Sequence, residues 1–213
     1  MLVDSYWFRT NATSNELRRA VTSIGPAEGP FDSNPGVGHR LGFPFSDARS
    51  SEWEDASSTG TSYCTLVELR RVPSADERTD RIVGVVGARV ALVSTVAEQV
   101  GSTLDREGLG WGPLNLPPGA LLGDDALNVG LEPISVRLGD QGASTLLKAD
   151  GWAALRGALT DARGEVVGVT LRAQGGQILS VLPGGYIVFD EPTQAAVVDA
   201  LSAIETASLA PAW

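Results

Sequence analysis

Apolar and polar positions alternate along the chain in short blocks, separated by glycine and proline. Residues 2–9, LVDSYWFR, read as an aromatic-rich strand. In the following TNATSNELRRAVTSI, Leu17, Val21 and Ile24 recur at i, i+4 and i+7, which places them on one helix face. Thr13 or Ser14 is the expected N-cap, Glu16 stands three after Thr13 as a capping box requires, and Gly25-Pro26 ends the helix. Strands are expected at 62–72 (SYCTLVELRRV) and 81–86 (RIVGVV), joined by the polar PSADERTD. Val86, Val90, Val93, Ala97, Val100 and Leu104 then repeat at alternating fours and threes, which predicts a helix of roughly five turns.

In the second half ISVRL and STLLKA flank GDQG and predict a hairpin. Asp150 is the expected cap of a helix with Trp152, Leu155, Leu159 and Ala162 on one face. EVVGVTLRA, QILSVL and GYIVFD, separated by QGG and PGG, predict a three-stranded antiparallel meander. A last helix turns Val197, Leu201 and Ile204 inward. Two stretches show no sustained period: a loop over 25–62 and a Gly/Pro-rich connection over 108–123. The pattern implies a two-layer α+β fold, mostly antiparallel sheet with three or four helices. Residues 1–107 and 124–213 each order as strand, helix, strand, strand, helix, with ELRRAV and ALRGAL at equivalent places. A duplicated β-α-β-β-α unit is one reading of that order, and a single packed domain is the other.

Composition narrows the classes. The chain has 213 residues, 43% of them hydrophobic, and its most apolar stretch, 82–97, is too short for a membrane span and is interrupted by Arg89. The opening MLVDSYWFRT has no basic segment followed by a long apolar run, so the expected location is cytoplasmic. A formal charge of −10 repels nucleic acid and anionic membranes and is compatible with a basic protein partner. The one cysteine, Cys64, excludes an internal disulfide and a multi-thiolate metal site. Lys148 is the only lysine among 16 basic residues, a bias that fits a GC-rich bacterial gene.

One segment carries the letters of a nucleotide-driven motor. GGQILSVLPGGYIVFDEPT contains GGQ and then an apolar run ending in Asp-Glu-Pro-Thr, as in ABC-type ATPases. Such an enzyme needs a G-x-x-x-x-G-K-[ST] loop around the phosphates, and the only lysine lies in TLLKADG. Pro183-Gly184-Gly185 also prevents the helix that would separate the two motifs. The same letters fit a buried strand ending at Asp190, with Asp190 capping the next helix.

His39 is the only histidine, and with Cys64 or nearby carboxylates it could serve a small hydrolase or transferase. Cys64 sits inside the strand pattern YCTLVEL, where a small thiol is ordinarily core. Glu52, Glu54 and Asp55, and Asp124 with Asp125, read as solvated acids of loops. No residue set has the spacing of a metal or cofactor site. Phe43, Phe45, Trp53 and Trp111 lie on glycine-flanked loops, where large aromatics either lid the core or form a recognition surface. The expectation is therefore a non-catalytic protein-binding module, whether adaptor, inhibitor, immunity-type protein or assembly component, with self-association open. The alternatives are the His39 enzyme and a phage or particle subunit.

Overall fold

A computed structural model describes residues 2–24, 40–44, 61–69, 81–87, 90–140, 142–190, 199–200 and 203–204. In chain order the elements are β1 (Leu2–Thr10), α1 (Ser14–Ile24), β2 (Arg40–Pro44), β3 (Thr61–Leu69), β4 (Arg81–Gly87), α2 (Val90–Arg106) and β5 (Trp111–Pro113). They continue as α3 (Asp124–Asn128), β6 (Glu132–Asp140), β7 (Ala143–Lys148), α4 (Trp152–Asp161), β8 (Glu165–Arg172), β9 (Ile178–Leu182) and β10 (Tyr186–Asp190). This is the two-layer α+β arrangement with a mostly antiparallel sheet. Contacts divide the chain into two compact units, Phe8–Gly112, and Met1–Trp7 with Pro113–Trp213, so the chain of β1 passes from one to the other. Among the described residues no helix is long and apolar enough to cross a membrane.

In the Phe8–Gly112 unit, β2, β3 and β4 pair antiparallel in sequence order. The helix α1 starts where the capping box puts it. The Glu16 backbone N–H donates to Thr13 Oγ1 (3.2 Å), and the Thr13 N–H donates to Glu16 Oε2 (2.8 Å). Leu17, Ala20 and Val21 are buried on its inner face, while Arg18 and Arg19 are exposed. Val93, Val96, Ala97, Val100 and Leu104 of α2 are fully or almost fully buried, and α2 packs on α1 and β4. The predicted helical repeat started too early. Val86 belongs to β4 and pairs with Thr65, because strand pairing claims the chain through Gly87 before the helix begins. The stretch 25–62 is also not loop throughout, since Arg40–Pro44 forms β2 against Thr61–Thr65. Five residues broken by Gly42 and Pro44 show no periodicity, so only their partner strand reveals them.

In the other unit the antiparallel order is β1-β10-β9-β8-β6-β7. The expected hairpin is β6–β7, and the expected meander is β8–β9–β10. Alternation does the sorting: Val136 and Leu138, Val169 and Leu171, Leu179 and Val181, Ile187 and Phe189 are all buried. Trp7 is fully buried, and its indole N–H donates to Ser5 Oγ (2.7 Å), which itself donates to the Ile187 carbonyl (2.6 Å). That relay satisfies the polar end of a large apolar side chain. Gly185 (φ 83°) lies where any Cβ would strike the Trp7 carbonyl, so the PGG turn before β10 requires glycine there.

The helix α4 lies against β6 and β7, with Leu155 buried. Its N-cap is Gly151 (φ 94°) with no side-chain cap, rather than Asp150. The positive φ suits glycine and shifts the helix start one residue past the aspartate. The connection 108–123 holds β5 and a 3-10 turn over Pro118–Leu122, and α3 follows it. At the last helix Ala200 and Ile204 are buried, and Val197 and Leu201 lie outside the described residues.

Two outcomes test this packing. Thr13→Ala removes one arm of the capping box and should lower stability by about 0.5–2 kcal/mol in a urea melt. Asp4 in β1 is half-buried, and loss of hydration raises its carboxyl above the ordinary range. A raised native pKa means the native state binds the proton more tightly, so stability falls as pH rises through that pKa. Asp4→Asn should therefore raise Tm at neutral pH, and the gain should vanish toward about pH 3, where the acid is protonated in both states.

Candidate binding surface

Of the four aromatics singled out in the sequence, Trp111 is the one whose side chain is described. It packs edge-on against Phe8 with ring centroids 5.8 Å apart, and its Nε1–H donates to Asp105 Oδ2 (2.9 Å). Gly101 of α2 faces the indole so closely that a Cβ there would enter the ring. The backbone of β5 is held nearby by the Asn11 N–H on the Gly110 carbonyl (3.3 Å), and Thr10 Oγ1 donates to that carbonyl (2.7 Å). The ring is half-buried. In β2 the Phe43 backbone pairs with Ser62, and its side chain, like all of Phe45 and Trp53, lies outside the described residues.

The catalytic alternative gains no geometry. His39 and the acids Glu52, Glu54 and Asp55 lie outside the described residues, and of Cys64 only the backbone is described, in β3 between Leu41 and Gly87. Asp124 and Asp125 occupy the first turn of α3, and Asp124 makes an exposed ion pair with Arg156 (3.6 Å). Among the described residues no three His, Cys, Asp or Glu side chains gather as a metal site. The GGQ letters form a hairpin turn. Gly175 (φ 97°) and Gly176 (φ 88°) let the chain reverse between β8 and β9, closed by the Ala173 N–H on the Gln177 carbonyl (2.8 Å). The Gln177 side chain donates to the Asp190 carbonyl at the end of β10, which ties the turn to the strand end. The cap expected of Asp190 lies beyond the described residues, which resume at 199.

Two surface features remain in the Met1–Trp7/Pro113–Trp213 unit. One is a pair of adjoining clefts of about 560 and 630 Å3 that share Gly130, Leu131, Ala173 and Gln174, with the exposed Arg172–Glu132 pair (3.4 Å) on the rim. Their lining combines an ion pair, amides and small apolar groups, with no convergent reactive set.

The other feature is the strand β7. Among the described strands it ends the order, with β6 as its neighbour, and five of its six residues are exposed. Leu146 is 48% exposed, the large apolar side chain left most open among the described residues. The β6–β7 register runs without a break from Ser135↔Lys148 to Asp140↔Ala143, whereas β6–β8 shifts twice. No proline, bulge or acid interrupts residues 142–149. Soluble proteins ordinarily blunt a free edge with a charge, a proline or a bulge, and here the one such device is Lys148 at the end of the strand. Sequence pattern identifies STLLK as a strand and cannot say that it lies outermost, because strand order is not written in periodicity.

No protein-family model matches the chain, and no curated protein matches it in sequence.

Gly101→Val should displace the Trp111 ring and lower stability. Trp111→Ala should cost about 2–4 kcal/mol, below the full range for a buried tryptophan because the ring is not fully buried. Chemical denaturation of both variants, followed by the remaining tryptophan fluorescence, measures the effect.

Proposed function

We propose that the protein is a non-catalytic protein-binding module, an adaptor, inhibitor, immunity-type protein or assembly component of the bacterial cytoplasm, that takes an extended segment onto the edge of β7. The observation that supports it is the exposed, regular β7 edge, with Leu146 open beside it. An added strand pairs its backbone with the outward N–H and C=O groups of β7, and alternate side chains supply the specificity. The edge belongs to a hairpin packed against α4, and a receptor strand already held in a sheet loses little ordering entropy on binding.

Leu146→Lys puts a charge into this edge while leaving the buried face of the hairpin intact. In a pull-down from the source organism, a stoichiometric partner held by the wild type should be retained at least about tenfold less by the variant, a difference of about 1.4 kcal/mol. Its melting curve in dilute solution should match the wild type. Equal retention by both proteins would place recognition elsewhere.

A further inference from the structure

We infer that the segment received by β7 is β7 of a second copy, paired antiparallel about a two-fold axis that sets Leu146 against Leu146. This rests on the strand-edge reading above and names its partner. Two identical edges join into one sheet only by a rotation about an axis normal to the sheet, which keeps the two helix-bearing faces on the same side. Such a rotation lays one residue of each strand directly opposite its own copy, because paired residues in an antiparallel ladder share a face. The centre must therefore be a single residue near the middle of β7: Thr145, Leu146 or Leu147.

Side-chain chemistry selects Leu146. Ser144, Leu146 and Lys148 share one face of β7, and their register partners on β6 are Gly139, Arg137 and Ser135. Centring on Leu146 covers the exposed leucine with an identical leucine, and each Arg137 stem can lie over it. Each Lys148 then falls opposite Ser144 of the second copy. In the same cross-strand row beyond that serine stand Gly139 and then Glu165 of that copy. Two small residues thus separate a cation from a carboxylate, and the arrangement occurs twice by symmetry. Centring on Thr145 would leave Leu146 against Ser144, and centring on Leu147 would set it against Lys148.

Charge agrees with this contact. A chain of net charge −10 resists meeting itself, yet residues 142–149 hold no acid and contain its one lysine. Two copies can meet there across a stretch without acids, Asp140 and Asp150 lying at its two ends, and the two-fold closes the assembly at a dimer.

Single cysteines at 145, 146 and 147 in a Cys64→Ser background test the register. Under mild oxidation Leu146→Cys should cross-link to twice the 22.2 kDa chain mass, while Thr145→Cys and Leu147→Cys should cross-link to each other in a mixture and poorly alone. Sedimentation of the unmodified protein should show a dimer at about 100 µM that Leu146→Lys shifts to monomer by at least about tenfold in Kd. Lys148→Glu should weaken it, and adding Glu165→Lys should restore it. A wild type that stays monomeric at that concentration, or cross-linking at 145 alone as efficient as at 146, would overturn the self-pairing. If such a monomer still lost a foreign partner on Leu146→Lys, strand addition at β7 would stand and only the second copy would be excluded.

Discussion

Backbone hydrogen bonding is the constraint on which the Met1–Trp7/Pro113–Trp213 unit depends. A strand in a sheet has two edges, and each buried N–H or C=O left without a partner costs more than a formed bond returns. The strands β10, β9, β8 and β6 each have a neighbour on both sides. Their alternate residues then fill the core, from Val136 through Phe189. Among the described strands the outer side of β7 is where that saturation stops, and its exposure lets water satisfy the groups there. A segment able to replace that water with backbone pairs is the natural ligand of such an edge.

The Phe8–Gly112 unit is governed more by side-chain packing. An apolar face on α2 meets α1 and β4, and the capping box fixes where α1 begins. Trp111 closes over the small face at Gly101, where its ring replaces the side chain that glycine lacks. A tryptophan in a Gly/Pro-rich stretch can serve a partner or its own core, and the Phe8, Asp105 and Gly101 contacts show how much of this ring is engaged at home.

Much of the architecture was legible in the chain. The capping box at Thr13–Glu16, the β6–β7 hairpin and the β8–β10 meander follow from spacing and turn residues, which are local signals. Errors fell where two signals overlapped or none existed. Val86 satisfies both a helical repeat and a strand alternation, and pairing with Thr65 decides for the strand. Asp150 is a sound cap by composition, yet Gly151 at φ 94° starts α4 one residue later. The strand β2 has no period of its own and exists through β3.

The sequence by itself determined the acidic charge, the fold class and the absence of a lysine-bearing phosphate loop, because these depend on residue type and near-neighbour spacing. Which strand lies at the edge, which residues share a cross-strand row, and what the Trp111 ring rests on were decided by the tertiary structure. Those relations join residues far apart in the chain. Lys148, Gly139 and Glu165 come into one row only through the β7-β6-β8 register, and Gly101 meets Trp111 only when β5 folds back on α2.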